Sequence, residues 1–185
     1  MGVIEESDSP WASPVVLAAK KDGTVQFCVD YGWLNDVTRN DAYPLPRVDD
    51  SLDSLTGAAW FSTLDLVSGY WQVGLAEKDQ EKSAFVTDGG LYQYKVLPFG
   101  LCNAPSTFER LMEVVLRGLQ FNSCLIYLDD IIVTQLEAVL AKLAAAGLKV
   151  KPRKCQLGRR ELTFLGHIVR ASGVSTDPEK VKSVA

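Results

Sequence analysis

The 185-residue chain predicts an α+β fold. Short apolar, β-branched runs recur in pairs across turn residues, as hairpins do. Between them lie two stretches whose apolar residues repeat at helical rather than alternating spacing. The hairpins and helices are mixed along the chain, without the regular strand–helix alternation of a parallel sheet.

Taken in order, Ser13–Lys21 and Thr24–Val29 read as two strands joined at Lys21-Asp22-Gly23, an Asp-Gly turn. Residues 40–47 must be extended, because Pro44 and Pro46 each bias the preceding residue out of the helical region. Asp49–Leu55 reads as a short helix, with acids in its first turn and Gly57 just beyond it. Trp60–Leu66 is strand-like, and Val67–Trp71 turns away from its end. Lys82–Thr87 and Leu91–Val96 flank Asp88-Gly89-Gly90 as another hairpin. From Ala104 to Leu119, the residues Phe108, Leu111, Met112, Val115, Leu116 and Leu119 recur at helical spacing, with Pro105 placed where its missing N–H does no harm. Cys124–Leu128 and Ile131–Val133 are each too short for a helix and read as buried strands around Asp129-Asp130. Gln135–Ala146 is an amphipathic helix closed by Gly147, and two strands follow, at Leu148–Val150 and Leu162–Val169.

Composition excludes several classes of function. No apolar stretch approaches the roughly twenty residues of a membrane span, and the acidic N-terminus is no signal peptide. Cys28, Cys102, Cys124 and Cys155 lack C-x-x-C spacing and read as small buried thiols in a reducing compartment. The single histidine, His167, lies in an apolar run and reads as structural, which leaves little basis for a Ser-His-Asp hydrolase or a histidine metal site. The net charge of −4 conceals an asymmetry. Residues 1–141 carry 9 Lys/Arg against 20 Asp/Glu, whereas residues 142–170 carry eight basic residues against Glu161 alone. A basic stretch beside an acidic half suits phosphate-backbone binding next to a metal site, the alternative being a solvated charged surface.

The acidic pair in Tyr127-Leu128-Asp129-Asp130 carries the chemistry. Adjacent carboxylates at the tip of a hairpin with buried legs repel each other, and a hard divalent cation such as Mg²⁺ removes the penalty. An exposed Asp-Asp turn is the alternative. Neighbouring strand residues point to opposite faces, so a two-metal site needs a further carboxylate from another strand. Asp65, at the end of the Trp60–Leu66 strand, can supply it, or it can instead cap a following helical turn.

Phe27-Cys28-Val29-Asp30-Tyr31, Trp33-Leu34-Asn35 and Asp41–Pro46 resemble the fingers of reverse transcriptases from gypsy-type LTR retrotransposons. Phe61–Leu66 with Ser68–Val73 resembles their first catalytic segment. Ala84–Thr87, Leu91–Tyr94 and Leu97–Phe108 resemble the segment leading into the palm helix, and Tyr127–Asp130 resembles the metal-binding hairpin. Gly147-Leu148-Lys149, Lys154-Cys155 and Phe164–His167 match segments beyond it. The blocks occur in family order over about residues 10–175.

The resemblance implies a right-hand polymerase with an antiparallel palm sheet packed on helices. Residues 1–45 and 73–104 would form the fingers, and residues 46–72 and 105–185 the palm. The thumb, connection and RNase H domains expected after such a palm are not in the chain, which therefore reads as a fragment or a decayed copy. The implied activity is RNA-directed DNA synthesis by two-metal nucleotidyl transfer to a primer 3′-hydroxyl. Its alternative is a catalytically dead nucleic-acid- or protein-binding domain of the same descent. The implied catalytic carboxylates are Asp65, Asp129 and Asp130, with Leu66 joining them around two Mg²⁺ or Mn²⁺ ions. Asp65 and Asp129 would be the principal ligands and Asp130 a support.

Lys20, Gln26, Ser68, Gly69, Tyr70 and Phe99 occupy the family's nucleotide-binding positions. Tyr70 there is a ring that excludes a ribose 2′-hydroxyl, or else a core aromatic. Tyr127, Lys149, Lys151, Arg153, Lys154, Gly166 and His167 are the implied nucleic-acid contacts. The implied partners are an RNA or DNA template with primer, dNTP, and other domains of a Pol polyprotein, with no membrane. The implied location is cytoplasmic, leaving room for a virus-like particle of the parent element. The chain departs from the family at Gln26 and Gly32, where arginines are usual. It is also shorter between Asp130 and Gly147 by roughly ten residues, near three helical turns.

Overall fold

The computed structural model describes residues 2–19, 23, 25–44, 52, 55 and 57–176. It divides into two compact units, Met1–Ala42 with Ser68–Phe108 and Tyr43–Val67 with Glu109–Ala185.

In the first unit, β1 (Ile4–Glu6), β6 (Gly90–Tyr94) and β5 (Phe85–Thr87) form an antiparallel sheet in that order. A separate hairpin pairs β2 (Val15–Ala19) with β3 (Val25–Val29). The expected strands on these stretches are present but shorter, and residues 20–22 and 24 of the joining turn lie outside the described residues. Val29, Tyr31, Phe85 and Tyr94 make the core, and the Tyr31 hydroxyl donates to the Ser83 carbonyl at 2.8 Å. Helix α1 (Gly32–Val37), which buries no residue, carries Asn35. Its side chain donates to the Gly100 carbonyl and accepts from the Cys102 N–H, both at 2.8 Å. Those two bonds fix the Pro98–Cys102 loop, where Gly100 holds φ +98°, a value that disfavours any side chain.

In the second unit, four strands run in the order β7 (Cys124–Tyr127), β8 (Asp130–Val133), β4 (Phe61–Asp65), β9 (Gln156–Arg159). Three more form an antiparallel meander, β10 (Glu161–Phe164), β11 (His167–Arg170) and β12 (Gly173–Thr176). Leu52, Leu55, Phe61, Leu125, Ile132, Leu162, Phe164 and Val169 form one buried cluster across these strands.

The expectation of a single strand over Leu162–Val169 is corrected. Leu165 and Gly166 both take positive φ, 50° and 80°, so the chain reverses there into a two-residue hairpin that pairs Phe164 with His167. Leu148–Val150 is likewise no strand, contributing only an isolated bridge from Val150 to Leu66. The long helix is α3 (Ala104–Val115), ending earlier than the apolar spacing suggests because residues 116–119 form turns and Gly118 takes φ +85°. Between α1 and α3 lies a short α2 (Glu77–Gln80), and α4 (Leu136–Ala145) lies within one residue of its expected bounds at each end. Most of the expected Asp49–Leu55 helix, and the last residues of the extended 40–47 stretch, lie outside the described residues. Of the four cysteines only Cys124 is buried, the others being half-buried, and all four are free thiols.

Candidate functional site

Strand β4 is interior to its sheet, paired with β8 on one side and β9 on the other. Its register with β8 sets Asp65 directly across from Asp130, while β7 pairs Tyr127 with the same Asp130. Cross-strand partners share a face with their Cβ atoms about 5 Å apart, so the Asp65 and Asp130 side chains are neighbours. Asp129 sits in the two-residue turn between β7 and β8. Partial burial, then the Asp129 and Asp65 carboxylates, hold the Asp130 carboxyl above its ordinary range, against a lowering pull from Lys154. Three carboxylates thus bear on one small region.

The backbone beyond β4 is tied down as well. The Lys151 N–H donates to the Asp65 carbonyl at 2.7 Å, and the Val67 N–H donates to the Lys149 carbonyl at 2.9 Å. Leu66, between them, is buried and bridges Val150. This segment leads into the turn Pro152–Lys154, whose last side chain doubles back: the Lys154 ammonium reaches Asp65 Oδ2 at 3.1 Å. A cavity of about 200 Å³ opens beside Asp65 and Asp130, lined also by Lys154, Gln156 and Thr163. It has room for a hydrated cation, each water claiming about 30 Å³.

The donor chemistry suits a hard divalent ion. Mg²⁺ is commonly held by one or two carboxylates completed by water and substrate phosphates, and the group of Asp65, Asp129 and Asp130 offers donors of that kind. Among the described residues no group of three His, Cys, Asp or Glu side chains is arranged to hold a metal. Lys154 has to release Asp65 Oδ2 before that oxygen can ligate.

The remaining expected residues fall as follows. Lys149, Lys151, Arg153 and Lys154 are all exposed, Tyr127 is half-buried at the end of β7, Gly166 lies in the β10–β11 turn, and His167 is the first residue of β11. In the other unit, Gln26 is exposed on β3 opposite Ala18, and Lys20 lies outside the described residues. Ser68 takes φ +48° ahead of the short 3-10 turn Gly69–Gln72, in which Gly69 is buried. Tyr70 is half-buried, its ring 4.9 Å from that of Phe99 and 5.3 Å from that of Phe108. Tyr70 and Phe99 are therefore packed together, while 48 % of Phe99 remains exposed.

One residue escaped the sequence reading. Glu109, on α3, is fully buried, and its Oε2 accepts the Leu128 N–H at 2.8 Å. Burial pushes its carboxyl up to about 7; the Leu128 N–H opposes this and Glu113 adds to it. The signal was present: Glu109 shares a helical stripe with Met112 and Leu116, both buried, and a carboxylate on an apolar stripe marks a partnered group.

Comparison with known proteins adds an independent line. The pattern of the family "Reverse transcriptase (RNA-dependent DNA polymerase)" matches residues 18–169. The chain is 40% identical over 197 aligned positions to the Retrovirus-related Pol polyprotein from transposon 297 of Drosophila melanogaster, covering 99% of the chain and 19% of that protein. With the polyprotein from transposon gypsy of the same organism it shares 39% identity over 199 positions, again covering 99% and 19%. The chain thus spans about a fifth of the length of these relatives. Among solved structures, it superposes on the foamy viral protease-reverse transcriptase dRH in complex with double-stranded DNA with a TM-score of 0.88 at 26% identity, covering 99% of the chain and 34% of that protein. The complex of the foamy viral enzyme with an RNA/DNA hybrid gives 0.86 at 26%, covering 100% and 26%.

Proposed function

The chain belongs to the reverse transcriptase (RNA-dependent DNA polymerase) family, in its gypsy-type retrotransposon branch, and from that premise we propose that it carries the nucleotidyl-transfer centre of an RNA-directed DNA polymerase. The observation that carries the reading is the β4–β8 register, which sets Asp65 beside Asp130 at the mouth of a cavity, with Asp129 in the adjoining turn. Residues 1–45 and 73–104 act as fingers, and residues 46–72 and 105–185 as palm; the two compact units support this division.

Asp65 and Asp129 would hold two divalent ions, Mg²⁺ or Mn²⁺, together with Leu66, and Asp130 would support them by keeping the local field negative. Bound there, such ions would lower the pKa of a primer 3′-hydroxyl and offset the charge that develops on the phosphates. Lys154, released from Asp65, turns its ammonium toward the phosphates of primer, template or nucleotide. Lys149, Lys151 and Arg153 hold the nucleic-acid backbone, with Tyr127, Gly166 and His167 contributing contacts. In the fingers, Lys20 and Gln26 meet the incoming triphosphate, and Ser68 and Gly69 offer it backbone N–H groups. Tyr70, packed against Phe99, closes the space of a ribose 2′-hydroxyl.

The substrates are a primed RNA or DNA template and dNTP, and the foamy viral complexes with double-stranded DNA and an RNA/DNA hybrid support the nucleic-acid part of that class. Other Pol domains are its partners in the parent element, and a virus-like particle in the cytoplasm is its setting. Among the described residues no helix is long and apolar enough to cross a membrane.

The test is Mg²⁺-dependent primer extension by the chain, with Asp65→Asn and Asp129→Asn beside it. Losing one ligand from a two-metal site is expected to cost about a thousandfold or more in rate. Extension by either variant at the parent rate refutes the assignment.

A further inference from the structure

Leu128, the first residue of the two-residue turn between β7 and β8, holds φ +57° without being a glycine. A branched side chain is disfavoured in that conformation, so the turn persists only where its surroundings hold it. One buried side chain reaches it. Glu109 has no exposed surface, and its Oε2 takes the Leu128 N–H at 2.8 Å. Its other oxygen, Oε1, is buried and has no hydrogen-bond partner among the described residues. A carboxylate is an expensive choice for an apolar helix face, and its desolvation is only half compensated here. An acceptor used solely for packing would be better served by a neutral group. Glu109 Oε2 accepts the Leu128 N–H whether the group is ionised or neutral, so what it offers the turn is an acceptor held at that place.

We propose that Glu109 is a positioning residue, a buried clamp that holds the strained Leu128–Asp129 turn in the shape that presents Asp129 and Asp130 beside Asp65. The inference rests on the reading of those carboxylates as a cation site. Glu109 touches neither substrate nor the reacting atoms. Its effect passes through one N–H into the turn that bears Asp129, as partners behind metal-binding carboxylates commonly act.

Two readouts on the full 185-residue chain test this without catalysis. Amide hydrogen exchange at Leu128, followed by NMR on metal-free protein, is expected to be slow in the parent and in Glu109→Gln, whose amide oxygen still accepts. It is expected to be fast in Glu109→Met. Mn²⁺ affinity, read by EPR titration, is expected to stay within about twofold in Glu109→Gln and to weaken by about tenfold or more in Glu109→Met. Adding Leu128→Gly to Glu109→Met should recover most of that affinity, because glycine takes positive φ without strain.

Unchanged Leu128 exchange in a folded Glu109→Met variant overturns the clamp. Fast exchange with unchanged Mn²⁺ affinity overturns the positioning role. Should Glu109→Met fail to fold, Glu109→Gln decides: retained Leu128 protection and Mn²⁺ affinity support the proposal, and loss of either refutes it. Failure of the parent chain to extend a primer would count against the proposed activity alone, since the exchange experiment needs neither metal nor substrate.

Discussion

Replacing Lys154 by methionine isolates the cation that already occupies the carboxylate site. Its ammonium lies 3.1 Å from Asp65 Oδ2, with 57% of the lysine side chain and 34% of the aspartate side chain exposed. At that separation the bare attraction is about 1 kcal/mol in water and several times that in a drier setting. The exposure places this pair near the aqueous limit, where ion pairs contribute about 0–1 kcal/mol net. Removing the ammonium is therefore expected to change folding stability by less than about 1 kcal/mol. A divalent ion no longer has to displace it, so Mn²⁺ affinity should tighten by about fivefold, the equivalent of about 1 kcal/mol.

Methionine keeps the apolar stem while removing the charge. Because Lys154 also pulls the Asp130 carboxyl down, its loss lets that group hold its proton more tightly, so parent and variant are compared at one fixed, mildly alkaline pH. The assay is an Mn²⁺ titration followed by EPR, at low salt and again at about 0.5 M, where screening should shrink the difference between parent and variant. Equal or weaker Mn²⁺ binding by Lys154→Met at low salt would refute the reasoning, because it would mean that the lysine does not compete for Asp65.

Other expectations follow from the same structure. The Glu109 carboxyl is raised to about 7, so the folded state binds more protons than the unfolded state between about pH 4.5 and 7. Stability should be highest below that window and fall by a few kcal/mol as pH rises through it, and Glu109→Gln should flatten the profile in thermal melts. Tyr70→Ala should raise the ratio of ribo- to deoxynucleotide incorporation, since a lost clash matters more than a lost contact; an unchanged ratio returns Tyr70 to its packing on Phe99 and Phe108. Alanine at Lys151, Arg153 and Lys154 together should flatten the log–log salt dependence of duplex or hybrid binding, because each lost phosphate contact releases fewer counterions. The chain as it stands should extend primers weakly, and Gln26→Arg should speed extension, a guanidinium gripping a triphosphate better than an amide by about 1.5–3 kcal/mol per charged bond.

The elements legible in the sequence were those whose signal is local. The hairpin around Asp129-Asp130 is announced by two apolar runs and a polar tip, and the β4 strand by the short Trp60–Leu66 run with buried Phe61 and Leu64. The helix α4 is announced by spacing and Gly147. The reversal at Leu165-Gly166 was hidden because leucine is a poor advertisement for a positive-φ turn, and the apolar run reads straight through it. Strand β9 was invisible because all four of its residues are exposed, so no alternation marks it. At the site, the types and order of the carboxylates were readable. The Lys154–Asp65 pair joins residues 89 apart and depends on how the Pro152–Lys154 turn folds back over β4. Glu109 is hard to see in the sequence because a single acid within the apolar spacing of its helix looks like an exposed position, although it is buried beside Met112 and Leu116.

The pairing of Asp65 with Asp130 makes this centre digital with respect to insertions and deletions. A strand alternates faces at every residue, so one residue gained or lost within β8, between its anchored core and Asp130, would turn that carboxylate to the opposite side of the sheet. Two residues would restore the face but displace the group by about 7 Å along the strand, out of its place beside Asp65. The sheet could absorb either change by slipping its ends and still bury Ile131, Ile132 and Val133 in part. A lineage of copies accumulating such changes would therefore retain folded, recognisable chains long after the chemistry had gone. Counting residues between Val133 and Asp130 would separate silent copies from competent ones more sharply than overall identity does.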